Sequence, residues 1–322
     1  MLDVLIIGAG PTGLYAAFLA GLRKLNAAVI ESSSEPGGQL TAVYKDKFIY
    51  DIPGFPKVTA QDYIKEQVKQ FSRFSNDIPI YYDAEALDII YRETYYDVVT
   101  KHQTIQTKTI LIAHGGGGFV PQKLKIDQEF DNILYFVKDL KVFKDKKVAI
   151  LGGGDSALDW AVSIAEETND VTLIHRRNEF RALPTTVDEF KQKGQILTPY
   201  VVARVEGENN LAKVLVLKHV QTQEELSINV DYVLVNYGFL LSKSKLEQWG
   251  ITGEKGLIQV DCQMQTNLDG IYAAGNGIAY PGKVKLISTG QGEAATAIQS
   301  ITNKLYPERE NNFEHSSSII KE

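Results

Sequence analysis

The feature that most narrows the fold of this chain is an internal repeat. Val4-Leu-Ile-Ile-Gly8-Ala-Gly10-Pro-Thr12-Gly13 and Val148-Ala-Ile-Leu-Gly152-Gly-Gly154-Asp155-Ser156-Ala157 share one pattern at an offset of 144 residues. Each is an apolar run that enters a Gly-x-Gly-x-x-Gly/Ala turn and opens a helical stretch. A second apolar run follows in each copy, Ala27-Ala-Val-Ile30 and Val171-Thr-Leu-Ile174, and then a polar residue 23 positions beyond the first glycine, Glu31 or His175. A single turn of this kind is a weak signal. Two in the same register, each inside a strand-turn-helix-strand unit, predict two dinucleotide-binding units of Rossmann type. The glycines permit a tight turn and close backbone approach, and the helix N-terminus offers free N–H groups and a positive dipole end to a pyrophosphate.

The two predicted sites differ in charge. Glu31 places a carboxylate where it can accept hydrogen bonds from both hydroxyls of an adenosine ribose, and it repels a 2′-phosphate. The matching stretch of the second copy reads His175-Arg176-Arg177, with Arg181 four residues on. Guanidinium forks suit a phosphate dianion, so Gly152, Gly154, Asp155, Ser156, Ala157, His175, Arg176, Arg177 and Arg181 are the predicted NADP contacts. At the first site, Gly8, Gly10, Thr12, Gly13 and Glu31 would hold adenosine diphosphate. The turn Pro36-Gly37-Gly38-Gln39-Leu40 could lay backbone amides against a bulky ring, and Tyr44 and Tyr50 offer aromatic faces to a flavin. Phe48 and Phe55, nearby, read as core.

Composition restricts the chemistry. Of 322 residues only one is cysteine, Cys262, so no intrachain disulfide, dithiol pair or multi-cysteine metal site is possible, and redox work must be carried by an added cofactor. A net charge of −6 argues against a dedicated nucleic-acid binder. The first residues carry no basic leader, and their apolar run is too short for a signal peptide or membrane helix, which reads as a cytoplasmic protein.

Between the repeats, Ala84 to Val99 and Thr104 to Ala113 read as short strands that lead into His114-Gly-Gly-Gly-Gly118, a crossover with enough backbone freedom for a hinge. Tyr232 to Gly238 is a matching apolar run that returns the chain. The predicted class is α/β, with two Rossmann-like, three-layer ββα domains, the second inserted in the first. Residues 1–114 and 242–322 form the FAD-binding domain and 118–238 the NADPH-binding domain. Composition alone makes 307–322 a frayed tail.

Taken in order, Gly8-x-Gly10-x-x-Gly13, Glu31, Gly37-Gly-Gln-Leu40, Tyr50-Asp-Ile-Pro-Gly-Phe55, Gly152-Gly-Gly-Asp-Ser-Ala157, His175-Arg-Arg177 and Gly282-Lys-Val-Lys-Leu-Ile-Ser-Thr289-Gly290 span essentially the whole chain. This pattern resembles the thioredoxin-reductase-like (type 2) ferredoxin–NADP reductases of bacteria. Thioredoxin reductases proper carry a Cys-x-x-Cys before the second turn; Tyr135 to Lys147 here holds no cysteine. The resemblance implies that Tyr50 stacks on one face of the flavin ring and that His315, in an ordered C-terminal extension over 307–322, covers the other. It also places Thr289 and Asn276 on FAD. The family has Asp at the position of Asn276, so this chain loses a charge-assisted bond to the ribityl chain, which implies weaker FAD retention.

The implied activity is hydride transfer between NADPH and the flavin, followed by single-electron transfer to ferredoxin or flavodoxin. Hydride transfer itself needs no protein acid or base. Acidic carriers ask for local positive charge, for which Lys283 and Lys285 are candidates, and a homodimer follows from the resemblance alone. Two other readings stay open at this point: an NADPH diaphorase or reductase of quinone or free flavin, and a non-enzymatic FAD/NADPH redox sensor, which Asn276 keeps in view.

Overall fold

The computed structural model describes residues 1–42, 45, 47–115, 120–137, 139–240, 243–254 and 256–309. Tyr44, His315 and Gly116 to Gly118 lie outside the described residues, so the readings made of them stay as expectations. The chain divides into two compact units, residues 1–118 with 241–322, and residues 119–240.

In the first unit, β1 (Leu2–Ile7) runs into α1 (Pro11–Leu22) and then β2 (Ala27–Ile30). A short α2 (Gln39–Ala42) precedes a hairpin of β3 (Phe48–Ile49) and β4 (Val58–Thr59), which leads into α3 (Ala60–Phe71). Thr59 caps α3 by accepting the Asp62 N–H at 3.1 Å. The strands β5 (Ile80–Tyr81), β6 (Asp88–Tyr91), β7 (Tyr96–Val99) and β8 (Thr104–Ile112) complete the N-terminal part.

The parallel order β5-β2-β1-β8 has β1 in register with β2 (Ile7 beside Ile30) and with β8 (Ile7 beside Ile112). Strand β8 serves two pairings. Its first half lies antiparallel to β7, while Ile110 to Ile112 pair in parallel with the later strand Ile271–Ala273. The burial follows from this: β1 and β2 are covered on both faces and are apolar apart from Asp3 near the start of β1, whereas β8 begins by alternating exposed and buried positions.

The second unit begins with β9 (Val120–Pro121) and β10 (Ile133–Leu134) and continues through β11 (Val148–Leu151), α4 (Asp155–Ile164), β12 (Val171–Ile174), α5 (Pro184–Lys191) and β13 (Gln195–Leu197). An antiparallel sheet of β14 (Tyr200–Glu208), β15 (Leu211–His219) and β16 (Glu225–Asn229) follows, then β17 (Tyr232–Val235) and β18 (Phe239–Leu240).

The parallel order β10-β17-β11-β12-β13 has one face on α4 and α5 and the other on the antiparallel sheet. Alternation along β11 shows why three layers form: Val148 and Ile150 pack with Leu158, Ile164 and Phe190 of the helices, and Ala149 and Leu151 pack with Leu215 and Leu217 of β15. This is the expected ββα layering.

The chain returns to the first unit through α6 (Lys243–Gln248), β19 (Gly253–Glu254), β20 (Leu257–Gln259), β21 (Ile271–Ala273), β22 (Ile278–Ala279) and α7 (Ile287–Leu305). Helices α1, α3 and α7 share the core of that unit, where Leu14, Ala17, Ile64, Phe71, Ala294, Ala297 and Ile298 are buried together. No helix among the described residues is long and apolar enough to cross a membrane.

Phe190 of α5 is fully buried, and a side chain on Gly194 would sit 2.5 Å from its ring, so nothing can move in to fill the space it leaves. Phe190→Ala is expected to lower unfolding stability by about 3–5 kcal/mol, read by denaturant titration, with far-ultraviolet circular dichroism retained at low denaturant.

Candidate functional site

The two glycine turns are built alike. Gly8 donates to Ile30 at 2.8 Å and Ala113 donates to Ile7 at 2.8 Å; in the second unit Gly152 donates to Ile174 at 3.0 Å and Asn236 to Leu151 at 2.8 Å. Both first glycines have positive φ, +105° and +153°, and both are backed by the neighbouring strand end. A Cβ on Gly8 would lie 2.8 Å from the Ala113 carbonyl, and one on Gly152 would lie 2.6 Å from the Asn236 carbonyl.

The third position lets the helix close down. A Cβ on Gly13 would lie 1.8 Å from the Gly8 carbonyl, and Ala157 of the second unit is fully buried, its Cβ 2.9 Å from where one on Gly152 would be. The second turn glycines, Gly10 and Gly154, face open space, each is the N-cap of its helix, and neither helix has a side-chain cap. Each unit thus presents uncapped helix N–H groups above a cradle with room for a ligand, as a pyrophosphate site requires.

Around the first cradle, the buried Glu31 carboxylate accepts the Ala9 N–H at 2.7 Å through one oxygen and the Ser33 N–H at 2.9 Å through the other, with the Ser32 hydroxyl at 3.2 Å. These bonds hold it at the lip of the turn and leave part of its acceptor capacity for a ribose hydroxyl. Gly37 donates to the Ala9 carbonyl at 2.8 Å, and a Cβ on Gly38 would be 3.4 Å from the Gly10 Cα, so the turn bearing Gln39 and Leu40 folds over the same cradle. Thr12, Asn276 and Thr289 are brought together from three elements. A Cβ on Gly275 or on Gly290 would lie 2.9 or 2.7 Å from the Thr12 hydroxyl. Asn276, next to Gly275 in the chain, is exposed; α7, which carries Thr289 in its first turn, starts at Ile287 with Leu286 as its N-cap and no side-chain cap.

Tyr50 is 66% exposed, with its ring free to receive a planar partner. Phe48 corrects the reading of that residue as core: it is 45% exposed, and the Lys57 ammonium lies 3.7 Å from its ring centroid. Phe55 is half-buried, edge-on to Tyr63.

Around the second cradle, His175 lies over the turn; a Cβ on Gly153 would be 2.5 Å from its ring. The Arg181 N–H donates to the Gly153 carbonyl at 2.8 Å, and Asp155 accepts the Leu183 N–H at 3.2 Å, which ties the loop after β12 to the start of α4. Arg176, Arg177 and Arg181 are exposed, and among the described residues none pairs with a carboxylate. Burial holds the His175 imidazole below its ordinary value, and the three guanidinium charges add to that effect.

Comparison with known proteins now identifies the lineage. A family described as "Pyridine nucleotide-disulphide oxidoreductase" matches residues 2–299. The chain belongs to the pyridine nucleotide-disulphide oxidoreductase family. A ferredoxin–NADP reductase of Acholeplasma laidlawii is 70% identical over 100% of both chains, and one of Geobacillus thermodenitrificans is 42% identical over 99% of this chain and 97% of the relative. A thioredoxin reductase of Lactococcus lactis is similar in structure with a TM-score of 0.83 at 26% identity, covering 94% of this chain and 98% of that one. The resemblance read from the motifs is therefore borne out. Unlike the disulphide reductases that give the family its name, this member has a single, exposed cysteine, Cys262.

One feature of this family member is not visible in the motifs. Glu293 of α7 is buried and accepts the Gly275 N–H at 2.9 Å through one oxygen; the other accepts the Tyr280 hydroxyl at 2.6 Å and the Lys283 ammonium. Lys283 therefore does not offer charge to a partner, since only 7% of its side chain is exposed; Lys285 remains on the surface. The knot anchors the loop that carries Asn276. Its partners lie 10, 13 and 18 residues before Glu293, with no helical or strand period, so no sequence pattern announces it.

The turns after β8 and β17, read from the sequence only as crossover and return, also close the two cradles: Ala113-His114-Gly115 and Asn236-Tyr237-Gly238 each end an apolar run with a positive-φ glycine, at +65° and +89°.

Lys283→Met is expected to cost about 3–5 kcal/mol, because it leaves a buried carboxylate without its cation. Lys283→Met with Glu293→Gln recovers part of the loss, measured as a double-mutant cycle in urea. Burial also pushes the His114 imidazole below 6.5, with the Lys245 charge acting in the same direction. The unfolded chain then takes up a proton before the folded one, so the stabilisation is full above pH 6.5 and is lost as the pH falls from there toward the folded value. The melting temperature is expected to drop between about pH 7 and about pH 5, with a shallower slope in His114→Asn.

Proposed function

We propose that this protein is an FAD-dependent ferredoxin–NADP reductase, with flavodoxin as a second carrier protein it can serve. The observation that carries this reading is the full-length, 70% identical ferredoxin–NADP reductase of Acholeplasma laidlawii, together with two dinucleotide cradles in a chain without a dithiol.

FAD fits the first unit: Gly8, Gly10, Thr12 and Gly13 would hold its pyrophosphate, Glu31 its adenosine ribose, and Gly38, Gln39, Leu40, Asn276 and Thr289 the remainder, with Tyr50 against the ring. His315 and Tyr44 would complete that set. NADPH fits the second unit, with Gly152, Gly154, Asp155, Ser156 and Ala157 at the pyrophosphate and Arg176, Arg177 and Arg181 at the 2′-phosphate, His175 covering the turn between them.

FAD held by these residues would supply the redox chemistry, linking the two-electron hydride of NADPH to the one-electron needs of the carrier. The protein's own groups orient the two nucleotides and exclude competing ones. Glu31 disfavours a 2′-phosphate at the first site by charge, and the arginines favour one at the second. A homodimer belongs to the same reading.

The test is anaerobic. Protein reconstituted with FAD is mixed with NADPH or NADH while the flavin absorbance is followed, and ferredoxin is then added. Rapid bleaching by NADPH, slow bleaching by NADH and recovery on adding ferredoxin are expected. In Arg176→Ser with Arg177→Ser, the NADPH preference should fall by about ten- to a hundredfold, the worth of one or two hydrogen bonds to a charged group. Failure to bleach, or bleaching that quinone reverses and ferredoxin does not, would overturn the carrier-protein reading.

A further inference from the structure

We infer that Tyr237 is the side chain of the second unit that packs against the nicotinamide half of the bound dinucleotide, and so positions the end of the cofactor that reacts. The inference rests on the reading of that unit as the NADP site.

The sheet order places Tyr237. In β10-β17-β11-β12-β13, the chain steps from β11 to β12 and β13 in one direction, while β17 lies on the other side of β11. The crevice where a dinucleotide crosses a sheet of this kind lies at that reversal, above the ends of β11 and β17. On the β12 side stand His175, Arg176 and Arg177, which suit the adenosine 2′-phosphate. The Gly152–Gly154 turn at the end of β11 marks the pyrophosphate. Neighbouring strands are about 4.8 Å apart, so the half of the ligand beyond the pyrophosphate extends over the end of β17.

Three residues form that end, and only one can meet a ligand with a side chain. Asn236 is turned inward: its carbonyl closes on Gly152, and its side-chain Nδ2 is buried with no hydrogen-bond partner among the described residues. Gly238 has no side chain and takes a φ of +89°. Tyr237, between them, is 41% exposed, a large aromatic ring standing in the open beside a cradle. The exposed part is the ring face, since burial of the phenol end raises it to about 12 while the Arg176 charge acts in the other direction. The next strand end, beyond β17, carries Tyr135, whose hydroxyl is already occupied in accepting the Leu124 N–H at 3.2 Å.

The first unit supplies a control within the molecule. By hydrogen-bond register His114 is the equivalent of Tyr237, since Ala113 and Asn236 both donate to the last residue of the central strand. A Cβ on Gly277 would lie 3.6 Å from the His114 ring, so that ring is packed under the turn after β21, and its Nδ1 is buried. Among the described residues the second unit has no counterpart of that turn over Tyr237. The same backbone position is thus filled by the protein in one unit and open in the other. A ring there offers a face to the nicotinamide or its ribose; the adenosine lies on the other side of the pyrophosphate.

The experiment measures binding, not turnover. Holoprotein reconstituted with FAD is titrated calorimetrically with NADP+ and with adenosine 2′,5′-bisphosphate, which has the 2′-phosphate and adenosine but no nicotinamide half. In Tyr237→Ala, NADP+ should bind about tenfold more weakly, the worth of one stacked ring, while the bisphosphate changes less than about twofold. Tyr237→Phe should keep NADP+ affinity within about twofold, because the face is retained.

Arg176→Ser is the companion variant and should weaken both ligands. If it weakens neither, the assignment of the second unit to NADP fails. If it weakens both and Tyr237→Ala affects NADP+ and the bisphosphate equally, or affects neither, the role given to Tyr237 is overturned while the assignment stands. Thermal melts of each variant without ligand, unchanged because Tyr237 and Arg176 are both exposed, separate a loss of contact from a loss of fold.

Discussion

The approach of one backbone to another, at a point where no side chain can fit, is the constraint on which the rest of both units depends. Gly8 and Gly152 each sit against the carbonyl of the adjacent strand end, and the helix that follows passes directly over the turn. Any Cβ there would meet backbone atoms, which cannot rotate away. Because these contacts exist, the N-termini of α1 and α4 stand at the ends of their sheets with their first N–H groups uncapped and pointing into open cradles. Binding of a pyrophosphate is a consequence of how strand, turn and helix must pack, before any specific side chain is considered.

Specificity is then added at the second strand. The same hydrogen-bond geometry delivers Glu31 to the lip of one cradle and His175 to the other, for both donate their N–H to the next strand, to Tyr81 at 2.9 Å and to Leu197 at 3.1 Å. One carboxylate at one lip and, at the other, three guanidiniums with no carboxylate partner among the described residues give two copies of one scaffold opposite charge. The third strand end differentiates them again. His114 is covered by the turn at Gly277, and Tyr237 stands uncovered. The two units also share the ββα principle without sharing its details: in the second, a separate antiparallel sheet covers the parallel one, while in the first the single strand β8 takes part in both pairings.

The resemblance to thioredoxin-reductase-like proteins extends through the fold, yet the redox chemistry implied by the family's name has no residues to run on here. Cys262 is single and exposed. What the chain holds in place of a dithiol is a set of positioning devices around the two cradles. Among them the buried Lys283–Glu293 pair is placed where it fixes the loop bearing Asn276.

The repeat, the glycine spacing and the alternation of apolar residues were enough to read two dinucleotide units, the layers within each and the charge of each site, because these depend on local periodicity and on residues a fixed number of steps apart. Glu31 and Arg176 could be assigned because strand length sets where the chain emerges from the sheet. Phe48, Lys283, His114 and Tyr237 could not be read in this way. Whether an aromatic ring is core or surface, whether a lysine faces water or a buried carboxylate, and whether a strand end is covered or open are decided by elements at no regular spacing along the chain: Lys57 for Phe48, α7 for Lys283, the turn after β21 for His114. Such contacts have no period along the chain. They exist only once the sheets have formed and brought those elements together, so sequence determined which backbone was built, and tertiary packing decided which side chains were left to act.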